Sequence, residues 1–86
     1  MADYAVTFAR SARKELESLE AKLVQRIWTK IEALTTDSRP TGCKKLVGTN
    51  DLWRIRVGEY RVIYMIDDRS RVVDVVAVRH RRDAYR

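Results

Sequence analysis

The run Leu52-Trp53-Arg54-Ile55-Arg56-Val57-Gly58-Glu59-Tyr60-Arg61-Val62-Ile63-Tyr64 sets the architecture of this chain. Side chains alternate across a strand. Over residues 52–57, Trp53, Ile55 and Val57 therefore take one face, and Arg54 and Arg56 the other. Gly58-Glu59 then interrupts the pattern, and a glycine at the first turn position suits a type II′ hairpin. A two-residue turn sets Val57 opposite Tyr60 and Arg56 opposite Arg61, and opposed residues share a face. The stretch thus predicts a hairpin with an apolar face (Trp53, Ile55, Val57, Val62, Tyr64) and an arginine face (Arg54, Arg56, Arg61). Isolated buried charge is costly, so the arginine face is expected not to be buried unpaired. Like charges placed directly opposite destabilise a sheet. Arg56 facing Arg61 is a cost that folding does not need, and such places are candidates for function. The alternative is a solvated ion network in which Asp74 or Glu59 pairs with these arginines.

After the hairpin, a polar turn at 67–70 leads to a third strand at 71–78. A basic tail follows at 79–86, carrying His80 and Tyr85 among its arginines. Aromatics among arginines suit splayed RNA bases, which stack on rings and guanidinium planes; a solvated terminus is the plainer reading. Before the hairpin, residues 35–50 hold the single proline, Pro40, with Gly42, Gly48, Lys44 and Lys45, and read as a loop. Leu23, Ile27, Ile31 and Leu34 form a helical stripe over about 21–35, widened by Val24 and Trp28. Ala12, Leu16 and Leu19 mark another helix over about 9–19, and residues 4–8 are short and β-prone. Trp28 and Trp53 read as core residues. The order is β-α-α-β-β-β. It predicts one α+β domain spanning 1–86, with a helical hairpin packed on one face of a mostly antiparallel four-stranded sheet.

Composition narrows the function. The 86 residues include 18 Lys and Arg against 12 Asp and Glu, a net charge of +6, which attracts polyanions. All five lysines precede residue 51, and beyond it every Lys/Arg position is an arginine. Arginine offers phosphate a planar fork of donors and does not deprotonate in practice, so phosphate-handling chemistry is expected in the second half. No apolar run approaches a membrane span, and the N-terminus lacks the apolar core of a signal peptide. The single cysteine, Cys43, permits no internal disulfide. A cytoplasmic location is expected. One Cys and one His fall short of a metal-ligand cluster, there is no Gly-rich phosphate loop, and the serines lack a triad context. No metal and no cofactor are expected.

The hairpin motif, with its Tyr-Arg-hydrophobic-hydrophobic-Tyr run at 60–64, is similar to the RelE-type pattern of the RelE/ParE toxin superfamily. So are Asp67-Asp68, the strand through Val78, and the terminal His80-Arg81-Arg82-Asp83-Ala84-Tyr85-Arg86. Phe8 followed by Ser11-Ala12 and Lys14-Glu15-Leu16 also fits, so the resemblance spans nearly the whole chain. It implies a microbial-ribonuclease-like fold and a toxin of a type II toxin–antitoxin system. Such a toxin cleaves messenger RNA in the ribosomal A site, without metal, by attack of the 2′-hydroxyl on the adjacent phosphate. It implies Arg61 as the residue stabilising the transition-state phosphate and Arg81 as the donor to the leaving oxygen. Tyr85 would stack on and orient the nucleotide. Arg54, Arg56, Lys44, Lys45, His80 and Arg82 are the expected substrate-binding residues. The resemblance also implies a RelB-like antitoxin partner. Arg54 and Arg56 depart from the pattern, since they stand where RelE has lysines, one proposed as general base. An arginine cannot take a proton in that way, so both are read as electrostatic clamps. The base is left to ribosomal RNA, to His80, or to neither. Two rival readings remain: a ParE-like gyrase inhibitor, and a non-catalytic module binding nucleic acid or an acidic partner.

Overall fold

The computed structural model describes residues 3–46, 48 and 51–83. In chain order the elements are β1 (Ala5–Phe8), α1 (Arg10–Glu17), α2 (Ala21–Ala33), β2 (Lys44–Lys45), β3 (Leu52–Val57), β4 (Tyr60–Asp67) and β5 (Val72–His80). The strands form one sheet in the order β1-β5-β4-β3-β2. Only β1 and β5 run parallel; the other pairs are antiparallel. The α+β architecture is the expected one, with two differences in the sheet.

The described residues contain five strands rather than four. The extra one, β2, lies in the stretch read as loop. Its two lysines carry no local strand signal, and pairing with Trp53 and Arg54 of β3 imposes the extended backbone. The second difference is at β5, which runs on to His80 rather than stopping at Val78. Arg79 and His80 are therefore sheet residues, fixed opposite Arg61 and Tyr60.

The hairpin closes as its sequence dictates. Val57 pairs with Tyr60 and Arg56 with Arg61. Gly58 has φ 59° while Glu59 stays at negative φ, as a type II′ turn requires. The apolar face of the sheet meets α1 and α2. Ala12, Ile27, Ile31 and Leu34 are buried against Ile55, Val57, Val62, Tyr64, Val73, Val75 and Val78. Neither helix has a side-chain N-cap, so this packed face, more than local propensity, holds both. Tyr64 is fully buried and donates its hydroxyl to the Ser38 carbonyl at 3.0 Å. Burial pushes its phenol above the usual tyrosine range. Trp53 packs at the margin of the core, as expected. Trp28 does not: it is 42% exposed and stacks on Phe8 with ring centroids 5.9 Å apart. It sits at the edge of the helical stripe, beside Phe8 at the end of β1.

β1 covers β5 only over Val72–Val75. Beyond that, α1 covers the strand's edge. Ser11 donates to the Val76 carbonyl at 3.3 Å, and the Val78 N–H donates to Glu15 Oε1 at 3.0 Å. The other carboxylate oxygen of Glu15 accepts from Arg79 Nε at 3.0 Å. One glutamate thus satisfies an edge amide and fixes an arginine at the rim of the sheet's open face.

Candidate nucleic-acid interface

The face turned away from the helices is basic because of register. Arg56 on β3 pairs with Arg61 on β4, and Arg61 pairs with Arg79 on β5. Three arginines therefore stand in one row across three strands. At about 4.8 Å per strand the row is roughly 10 Å long. Two residues along β3, Arg54 lies opposite Ile63 and, on its other side, Lys44 of β2. Lys44, Arg54, Arg56, Arg61 and Arg79 thus share one face.

Arg61 occupies the middle of the row and is only 9% exposed. Its Nη1 donates to the Tyr60 carbonyl at 3.3 Å, and its Nε is buried without a hydrogen-bond partner. Arg54 is also buried. Among the described residues no carboxylate lies within ion-pair distance of Arg54, Arg56 or Arg61. This overturns two expectations. The arginine face is buried in part without being paired, and neither Asp74 nor Glu59 neutralises it. Asp74 accepts from the Thr7 hydroxyl at 2.7 Å, and Glu59 holds Arg81. Ile63 and Ala77, which share this face, are buried as well, and long arginine stems can cover apolar surface of that kind. An uncompensated guanidinium remains, opposite the equally unpaired Arg56 on one side and the Glu15-paired Arg79 on the other, and it is a standing electrostatic cost.

The other expected site residues divide. The Arg81 N–H donates to the Glu59 carbonyl, and Arg81 Nε meets Glu59 Oε2, both at 2.8 Å. This fastens Arg81 beside the β3–β4 turn, two residues beyond Arg79. His80 falls on the opposite face, in edge contact with Tyr60 at 5.4 Å, with Nδ1 accepting from the Arg82 N–H at 3.3 Å. Lys45 pairs with Trp53, so it belongs to the helix-side face. Arg82 is exposed just past β5. Tyr85 lies outside the described residues. Arg79 joins the site although the sequence does not single it out. Its signal is the +2 alternation from Ala77, visible only once β5 is known to continue.

Charge reverses along the face. Its far end carries Asp74 and, at the β4–β5 turn, Asp67 and Asp68. Arg39 binds Asp68 through both terminal nitrogens (3.2 and 2.9 Å), and Tyr4 donates its hydroxyl to the same carboxylate. These two donors hold the Asp68 carboxyl down to about 2. Arg39 also lies over the Trp53 ring, 5.1 Å from its centroid. This network fixes the segment that leads into β2, and hence the position of Lys44.

Fold and site together define a small α+β domain with a preformed row of arginine donors on the open face of its sheet. The comparisons with known proteins give that class a family. Residues 6–85 match the family described as "ParE toxin of type II toxin-antitoxin system, parDE". The chain belongs to this family and is a type II toxin of the RelE/ParE superfamily. Among curated proteins it is similar to the putative toxin RelE1 of Methanocaldococcus jannaschii, 28% identical over 85% of this chain and 84% of that one. Among solved structures it is similar to the toxin in the RelE–RelB complex from Pyrococcus horikoshii. That match has a TM-score of 0.82 and 30% identity, over 95% of this chain and 99% of that one. The free E. coli toxin RelE, in mutant form, matches with a TM-score of 0.80 and 26% identity, over 98% and 88%.

Proposed function

We propose that this toxin is an endoribonuclease of the RelE type. It cleaves messenger RNA in the ribosomal A site by attack of a 2′-hydroxyl on the adjacent phosphate, without a metal, and so inhibits translation. The observation that carries the reading is the state of Arg61: buried, flanked by Arg56 and Arg79, and clear of every described carboxylate. A guanidinium kept in that state stabilises charge that arrives with a substrate. Preorganised donors cost no reorganisation at the moment of reaction, and removing one typically lowers the rate by about 10²–10³.

In this reading Arg61 binds the phosphate undergoing attack. Arg56 and Arg79 carry its neighbours' charge, and Arg54 with Lys44 extends the basic surface along β3. Arg81 reaches the leaving oxygen from beside Glu59, and Tyr85 stacks on the base. The row holds cations and no group suited to removing a proton, so the reaction depends on geometry imposed on the RNA. The ribosome supplies that geometry. A RelB-like antitoxin covers the basic face or displaces the tail; RelE toxins of similar sequence and fold are solved in complexes with RelB. The cytoplasm, where ribosomes are, is the proposed location.

The test is induction in bacteria of the wild-type chain beside Arg61→Ala and Arg81→Ala, with messenger RNA 5′ ends mapped by primer extension. New ends within translated codons for wild type, and few or none for folded variants, support the reading. A second reading, gyrase inhibition, is favoured by the ParE family match. Growth arrest without new RNA ends, accompanied by loss of gyrase supercoiling activity in vitro, establishes that reading instead.

A further inference from the structure

β2 covers β3 only at Trp53 and Arg54. Beyond this point the edge of β3 faces α2 across two adjoining clefts. One, about 460 Å³, has Lys30, Lys44, Arg54 and Arg56 in its lining over a floor that includes Ala33 and Ile55. The other, about 290 Å³, is lined by Arg26, Thr29, Lys30, Arg56, Val57 and Gly58. Lys30 and Arg56 belong to both, so the clefts form one groove. Among the described residues five cations line it and no carboxylate does. None of the five has an ion-pair partner among the described residues. Arg26 and Lys30 stand one turn apart on α2, where like charges repel. The Arg26 guanidinium also lies close to the turn, since a Cβ on Gly58 would lie 3.3 Å from its Nη2.

Arg56 gives the groove its meaning, because it is also the first member of the row that runs through Arg61 to Arg79. Groove and row make one cationic path. It crosses the strands instead of following them, and the acidic far end of the face closes the other direction. Arg26 and Lys30 lie about 6 Å apart along the helix axis, a spacing that serves successive phosphates of an extended single strand. We infer that the groove between α2 and the uncovered edge of β3 is a second RNA-backbone site, binding phosphates that flank the one held by Arg61. This rests on the reading of the arginine row as an RNA site. The groove adds affinity for longer RNA and fixes the direction in which the strand crosses the sheet.

The test measures binding of a fluorescent 2′-O-methyl hexanucleotide, which 2′-hydroxyl attack cannot cleave, over a range of salt. Wild type is compared with Arg61→Ala and with the double variant Arg26→Gln, Lys30→Gln. Both α2 side chains are exposed, and removing their mutual repulsion leaves the melting temperature unchanged or raised. The double variant is expected to bind several-fold more weakly. Its slope of log affinity against log salt should be shallower by about 0.7 for each phosphate it no longer neutralises. Unchanged affinity and slope in the double variant overturn the inference, as does failure of wild type to bind the hexanucleotide. An octaglutamate peptide that binds through Arg26 and Lys30 while the RNA does not makes the groove a protein-docking site, and also overturns it. The primer-extension outcome is separate. Groove-dependent RNA binding without cleavage in cells removes the nuclease reading alone, and cleavage with groove-independent binding removes the groove alone.

Discussion

Replacing Arg61 by methionine should stabilise the protein while removing its activity. Methionine keeps an unbranched apolar stem at this buried position and removes the guanidinium. In the wild type that guanidinium faces Arg56 on one side and Arg79 on the other, with a buried Nε that has no partner. Cross-strand pairs act on a scale of roughly 0.2–1 kcal/mol, and Arg79 is already paired with Glu15, so the unpaired opposition of Arg56 and Arg61 predicts a gain of about 0.2–1 kcal/mol. In a domain of this size 1 kcal/mol moves the melting temperature by roughly 4–8 °C. The assay is thermal unfolding of both proteins at low and high salt. The advantage of Arg61→Met should shrink as salt rises, because screening weakens the repulsion in the wild type. In cells the same variant should give few or no new messenger RNA ends. A variant that melts several degrees lower at every salt concentration would overturn this account, because Arg61 would then be paired and structural. A stabilised variant that still cleaves would leave the electrostatic argument standing and remove Arg61 from the chemistry.

Glu15→Ala should destabilise by about 1–3 kcal/mol, since the edge N–H of Val78 loses its acceptor. Chemical denaturation measures this, and Glu15→Gln, which keeps an acceptor oxygen, should recover much of the loss. Ile31→Ala, at a fully buried position between α2 and the sheet, should cost about 2–5 kcal/mol, read from the same denaturation curves. The Asp68 carboxyl is held down to about 2 in the fold, by Arg39 first and Tyr4 second. Its contribution is therefore present above the ordinary aspartate range, near 4, and is lost as pH falls toward 2. Thermal unfolding from pH 7 to pH 2 should show a steeper acid loss for wild type than for Asp68→Asn.

Much of the site was legible before the structure. Alternation over residues 52–64 gave the hairpin register, and with it Arg56 opposite Arg61, because a two-residue turn leaves one pairing available. The buried stripe Ile27, Ile31 and Leu34 followed from helical period. The errors share a cause. β2, the extension of β5 and the exposure of Trp28 are decided by partners distant in sequence. Two lysines become a strand because β3 lies beside them. Arg79 and His80 join the sheet because β4 runs alongside. Trp28 stays partly outside, stacked on Phe8 of β1.

Local pattern was enough to specify the two-faced hairpin, the helical hairpin that covers its apolar face, and the arginine-rich half that carries the site. Those properties are periodic, and a period is written in neighbouring residues. It took the assembled sheet to settle that Arg79 completes the row and that His80 and Lys45 turn away from it. The assembled sheet also settled that Glu15 and Glu59 fix Arg79 and Arg81 rather than neutralise Arg61. Each of these depends on which strand is the neighbour and where its pairing stops. Burial of Arg61 without a counter-charge belongs to the same level. No residue type carries that property alone, and it arises where three strands bring three arginines into one register.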